Sequence, residues 1–146
     1  MTANRSVPDA SVIPVLAYPD VPDAVEWLCR AFGFQERLRI ERHRAQLVFG
    51  DGALIVTELD HADLGGGAAG THGVHVRVDD VDAHYELAAR SGAHIVDPPT
   101  DYPYGERQYI AEDPAGHRWT FSQSIADIYP ADWGGVLIDD PERPPR

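Results

Sequence analysis

Few residues of this chain are equipped for chemistry, and their types restrict what that chemistry can be. It has seven histidines, one cysteine and twelve basic residues, all of them arginine. With no lysine, Schiff-base catalysis is excluded. Cys29 falls beside Trp27 and Leu28 in a helical pattern and reads as a small apolar filler rather than a nucleophile. No Ser/His/Asp order and no zinc-type His/Cys spacing occurs. His75 is the histidine best placed to act. It alternates with Gly73 and Arg77 along one strand face, and Thr120 and Ser122 alternate likewise on a later strand. An imidazole near two hydroxyls can orient a ligand or serve as a general base. Tyr102, Tyr104, Tyr109 and Trp133 supply ring faces for stacking and cation–π contacts of roughly 0.5–2 kcal/mol each. Arg77 and Arg107 could meet an anionic group, although Arg107 reads first as bracing a turn through Asp113 or Glu112. His43, His61, His84 and His94 read as surface residues. His117, just after a turn glycine, reads as structural.

Charge narrows the partners. There are 24 acidic residues against 12 basic ones, a net of −12. Such a surface repels phosphate backbones and anionic membranes, so no nucleic acid and no membrane is expected as a partner, and it draws cations. No stretch reaches the roughly 18 apolar residues of a membrane span, and the polar start lacks the apolar core of a signal peptide. One cysteine cannot form an intramolecular disulfide, which suits a cytoplasmic protein.

Those residues must be positioned by elements that occur twice. From Ile13 to Phe34 the chain reads apolar run, Asp20-Val21, helical stretch, Gly33; from Gly73 to Ala93 it reads apolar run, Asp80-Val81, helical stretch, Gly92. Glu26 falls on Glu86 and Arg30 on Arg90, an offset of 60. A second correspondence sets Gly52 to Val56 against Gly116 to Thr120, an offset of 64. Each copy is too small to bury its own sheet alone, so the two must share a core. The organisation expected is an N-terminal extension over 1–10 and a first βαβββ module over 11–60. A Gly-rich linker over 61–71, a second module over 72–124 and a Pro- and acid-rich tail over 125–146 follow. Asp20 is the expected N-cap of the first helix, Pro22 lies harmlessly in its first turn, and Gly33 ends it. Residues 97–105 are expected to form a loop. The linker is followed by a strand rather than a helix, so it is no phosphate cradle.

Two βαβββ units carrying these words in this order resemble the vicinal oxygen chelate superfamily, which includes glyoxalases, extradiol dioxygenases and bleomycin-resistance proteins. The words are Ala31-Phe32-Gly33-Phe34, Val78-Asp79-Asp80-Val81-Asp82, Tyr104-Gly105-Glu106-Arg107 and Asp113-Pro114-Ala115-Gly116-His117-Arg118-Trp119-Thr120. The resemblance covers about residues 11–124. It implies an α+β fold in which each module gives a cup-shaped mixed sheet, the cups facing to enclose a pocket, in a homodimer. Enzymes of the group hold a divalent metal with one His or carboxylate from the first and last strand of each module. Those positions align here to Ile13, Val56, Gly73 and Thr120, which implies no metal site. A slip to His72 would turn that side chain to the other sheet face. Where some members carry a His and a Glu on a middle strand, this chain has Arg44 and Gln46.

The function expected on these grounds is metal-free and cofactor-free binding of a small molecule. The protein would resemble the bleomycin-resistance type, sequestering an aromatic or cationic compound such as an antibiotic. The alternative is a glyoxalase-like lyase or isomerase with His75 as general base; on the binding reading there is no catalytic residue. The expected pocket sets His75, Thr120 and Ser122 against an apolar wall of Val15, Leu54 and Val56. Tyr104 and Tyr109 would rim it, with Gln46 and Trp133 in reach. The apolar Val136-Leu137-Ile138 run in an acidic tail argues that the tail packs on the body or on a second copy.

Overall fold

The computed structural model describes residues 2–59 and 72–138. The Gly-rich linker, His61 and the end of the tail lie outside the described residues. The first unit runs β1 (Val15–Tyr18), α1 (Val21–Phe32), β2 (Gln35–Ile40), β3 (Arg44–Phe49) and β4 (Gly52–Glu58). The second runs β5 (Gly73–Arg77), α2 (Val81–Arg90), β6 (His94–Tyr102), β7 (Glu106–Glu112) and β8 (Arg118–Ser124). Each makes a four-stranded mixed sheet, ordered β1-β4-β3-β2 and β5-β8-β7-β6, in the cup-like α+β arrangement that the family resemblance implies. The first strand of each unit pairs parallel with the last, and the remaining ladders are antiparallel. The helices begin and end for local reasons. The Asp20 and Asp80 carboxylates accept from the N–H groups of Asp23 and Ala83, and Gly33 ends α1 at φ +86°.

Strand alternation splits each sheet into a helix-side face and an open face. Leu16, Tyr18, Leu47, Leu54 and Val56 point to the helix side of the first sheet, and Tyr109, Ala111, Trp119 and Phe121 to that of the second. These two faces share one core. Phe32 of α1 lies 4.8 Å from Phe121 and 5.2 Å from Trp119, and Trp27 Nε1–H donates to Ser91 O at 2.8 Å. The tightest cross-link is polar. Asp113, in the turn before β8, accepts from Tyr18 Oη at 2.6 Å and Trp119 Nε1 at 3.1 Å, while its other oxygen takes the N–H groups of Ala115 and His117. His117 Nε2–H donates to Ala17 O, the structural role expected of it.

Three expectations are corrected. Residues 97–102 are not a loop but the second half of β6, which carries Pro98-Pro99 through two irregularities in its pairing with β7. As an edge strand, β6 can spare the N–H groups that proline lacks. His84 is not a surface residue: its Nε2–H donates to Phe32 O at 2.8 Å and its Nδ1 accepts from Tyr109 Oη at 2.5 Å, across the seam between the units. The carbonyl can only accept, which fixes that tautomer. Arg107 pairs with Asp82 and Asp101, not with Asp113 or Glu112, because β-sheet register sets it opposite Asp101.

Candidate functional site

The open face of the second sheet gathers His75, Thr120, Ser122 and Tyr104 from the residues picked out from the sequence. In the β5–β8 ladder His75 stands opposite Thr120 and Arg77 opposite Ser122, and in the β7–β8 ladder Gln108 stands opposite Ser122. His75 and Arg77 are exposed, Thr120 is half-buried and Ser122 is buried. Two residues absent from the expected set belong to this face. Glu106 Oε1 accepts from Ser122 Oγ at 2.6 Å, and Gln108 Nε2 donates to Ser122 Oγ at 3.1 Å. Period-two alternation from Ser122 across the hairpin would have found both. Tyr104 Oη donates to Gln108 Oε1 at 3.0 Å, and the Tyr104 ring meets Trp133 edge-on at 5.4 Å. Burial alone would raise the Glu106 carboxyl. Hydrogen bonds from Ser122 and Ser124, with the charges of Arg77 and His75, outweigh that and hold it below its ordinary value. The Tyr104 phenol is pushed up by burial, then by Tyr102 and Glu106.

Beside this face a cleft of about 520 Å³ runs along the free edge of β5. His75, Arg77 and Val76 form one side; Pro14, Phe34, Phe49 and Ala53 from the first unit form the other. A greasy wall against His75 is therefore present, but built from other residues than expected. Of the expected wall, Leu54 reaches the cleft floor while only 2 % exposed, and Val56 is wholly buried under α1. Val15 lies on the open face of the first sheet, 51 % exposed. Tyr109 is no rim residue: it is fully buried on the helix side, and burial raises its phenol. Gln46 is also committed elsewhere. Its Oε1 accepts from Arg37 at 2.6 Å and its Nε2 donates to Ser6 O at 2.8 Å, leaving it 6 % exposed beneath the N-terminal segment. Burial, then the nearby Glu36 carboxylate, raises the Cys29 thiol, which keeps it a poor nucleophile.

The first unit's last-strand position needs one adjustment. Thr120 pairs with His75 and Ile55 with Val15, so the structural equivalent of Thr120 is Ile55 rather than Val56. The offset at this strand is 65, not 64, because the turn before β8 is one residue longer. The set that a metal would meet is thus Ile13, Ile55, Gly73 and Thr120. A Cβ on Gly73 would come 3.3 Å from Arg118 O, so even a ligating side chain there would be cramped. Among the described residues no three His, Cys, Asp or Glu side chains converge. This donor set does not fit a divalent metal.

Residues 12–121 match the family model of the Glyoxalase/Bleomycin resistance protein/Dioxygenase superfamily. The chain belongs to that superfamily. Among similar solved structures, the crystal structure of TioX from Micromonospora sp. ML1 is 34 % identical, with a TM-score of 0.65, over 82 % of this chain and 100 % of that one. The bleomycin-binding protein of bleomycin-producing Streptomyces verticillus, solved with copper(II)-bleomycin, is 27 % identical with a TM-score of 0.58. That match covers 79 % of this chain and 96 % of the other. An uncharacterised protein of Mycobacterium bovis is 25 % identical over 132 residues, 82 % of this chain and 87 % of its own length. Superfamily membership fixes the frame and leaves the chemistry to the site, since one frame carries both binding proteins and enzymes. No described helix is long and apolar enough to cross a membrane.

Proposed function

We propose that this protein binds an organic small molecule, aromatic or cationic in character, without transforming it, and so sequesters it as an antibiotic-binding protein would. The observation that carries this reading is the open face of the second sheet. It combines imidazole, hydroxyl and carboxylate groups with the Tyr104–Trp133 aromatic corner, while the positions of the family's metal ligands hold Ile13, Ile55, Gly73 and Thr120. Such a lining orients a ligand through a few polar contacts and gains affinity from apolar area. The bleomycin-binding relative lends the reading support.

A second copy would complete the site. The helix sides of both sheets are used up in the shared core, so the open faces of one chain turn away from each other. β1 and β5 are both sheet edges, and an open edge is a template for pairing. In a homodimer, β1 of one protomer would approach β5 of the other and bring Val15 and Ile55 over His75. The test is a thermal-shift screen of chemically diverse antibiotics, followed by calorimetry on any hit. His75→Ala should weaken binding by about 1–2 kcal/mol, the scale of one hydrogen bond, with the melting temperature of the free protein unchanged. Conversion of a hit to product, abolished by His75→Ala with affinity intact, would replace the binding reading with that of His75 as general base.

A further inference from the structure

The binding reading above says where a ligand sits; the direction of one hydrogen-bond chain says what it is. An ionised carboxylate can only accept, so the Ser122 hydroxyl proton is committed to Glu106. Ser122 Oγ then accepts from Gln108 Nε2, which turns Gln108 Oε1 to Tyr104, whose hydroxyl donates to it. Each link forces the orientation of the next. The hydroxyl protons of Tyr104 and Ser122 are used within the chain, and Arg77 Nη2 is turned to Ser124 Oγ at 3.3 Å. The lone pairs left over, on the Glu106 carboxylate and the Tyr104 phenol oxygen, are acceptors.

At its other end the chain fixes an aromatic corner. The Tyr104 ring is stacked on Tyr102 at 5.4 Å with planes 10° apart, and Trp133 meets it at 60°. Trp133 lies beyond the residues that match the family model, so the superfamily frame does not supply it. It is delivered by the segment after β8. Gly105 O accepts from the N–H groups of Ile125 and Ala126, and the single turn Pro130–Trp133 then carries the indole back to Tyr104. A Cβ on Gly105 would sit 2.3 Å from Ala126 O, and only glycine permits that approach. Trp133 remains 45 % exposed, with ring face to spare.

We propose that this corner takes a planar aromatic molecule bearing N–H donors, its ring seated against Trp133 and Tyr104 and its donors on Glu106. The test uses three probes on the full chain: 9-aminoacridine, a planar cation with N–H donors; 10-methylacridinium, a planar cation with none; and n-butylammonium, a donor with no ring. Calorimetry gives affinity. Tryptophan fluorescence reports location, since Trp133 is the exposed one of the three. The expectation is that 9-aminoacridine binds and quenches, 10-methylacridinium binds about tenfold more weakly, the scale of a charged hydrogen bond, and n-butylammonium does not bind. Trp133→Ala should weaken both acridines about tenfold. Glu106→Gln should weaken 9-aminoacridine more than 10-methylacridinium, which loses only the attraction of the carboxylate charge, and so narrow the gap between the two, which a purely structural role for Glu106 would not do. If Glu106→Gln proves unfolded by circular dichroism, Glu106→Ala, which removes the acceptor and leaves Ser122 to solvent, takes its place. Equal affinity for the two acridines, or binding indifferent to Trp133→Ala, overturns the assignment while the wider binding reading stands. Absence of acridine binding also overturns it, and the antibiotic screen then judges the binding reading separately.

Discussion

Replacing Asp113 by alanine should be the most damaging single change outside the apolar core. The carboxylate is 5 % exposed and accepts four hydrogen bonds: Tyr18 Oη and Trp119 Nε1 on one oxygen, the N–H groups of Ala115 and His117 on the other. Tyr18 and Trp119 are themselves buried, so both would lose a partner that water cannot easily replace. Two buried donors left unpaired at about 1–3 kcal/mol each give a loss of about 4 kcal/mol. For a chain of this size that lowers the melting temperature by about 8–16 °C. Tyr18→Phe removes one donor and leaves the carboxylate three, so about 1.5 kcal/mol is expected. Asp113→Asn should fall between the two. Its amide nitrogen can donate to the Tyr18 oxygen but opposes the Trp119 N–H, another donor. Urea unfolding followed by tryptophan fluorescence measures all three, with Trp119 reporting directly on the site. Because Tyr18 and Asp113 belong to different units, the double variant Tyr18→Phe/Asp113→Ala should cost clearly less than the sum of the singles. A loss below about 1 kcal/mol for Asp113→Ala, with the urea slope unchanged, would refute the argument that this carboxylate binds the units together.

Three further outcomes are expected. Burial holds the His84 pKa below its ordinary 6.5. As pH falls below that value the unfolded chain takes up a proton that the folded chain refuses, so stability declines from about pH 6.5 downward toward the lowered folded value. Urea midpoints measured across that window should slope less in His84→Asn, and parallel slopes would argue against it. Gly105→Ala, at φ +87° with Ala126 O in the way, should free the segment after β8. Limited proteolysis would then cut near Ile125 well before the body unfolds, and equal protection of both proteins would count against the pinning role. Incubation with Zn²⁺, Ni²⁺ or Mn²⁺ followed by desalting should leave metal far below one equivalent per chain, given Ile13, Ile55, Gly73 and Thr120; a full equivalent by elemental analysis, lost in His75→Ala, would refute the metal-free reading.

The sequence by itself determined the duplicated βαβββ frame. The Asp20 and Asp80 caps, the glycine after α1 and the apolar periodicity are local signals, and each acts within one turn of chain. It also determined that His75 shares a face with Gly73 and Arg77, and Thr120 with Ser122, because alternation along a strand needs no knowledge of what packs on it. That the two sets share one face follows from the pairing of β5 with β8. Which way a face points was not local. A slip of one residue at the turn before β8 moved the first unit's site position from Val56 to Ile55, since every such slip exchanges the two faces of a strand. Tyr109 and His84 look like polar surface groups in the sequence. They became a buried pair only when α2 was pressed between its own sheet and Phe32 of the other unit. Gln46 was expected within reach of the pocket, yet Arg37 and Ser6 claim its amide, one from a neighbouring strand and one from the far end of the chain. Glu106 and Gln108 follow from the local β7–β8 hairpin, but the Tyr104–Trp133 corner depends on a tail returning over Gly105. Such contacts between distant segments are selected by how the whole chain packs, and no short stretch of residues encodes them.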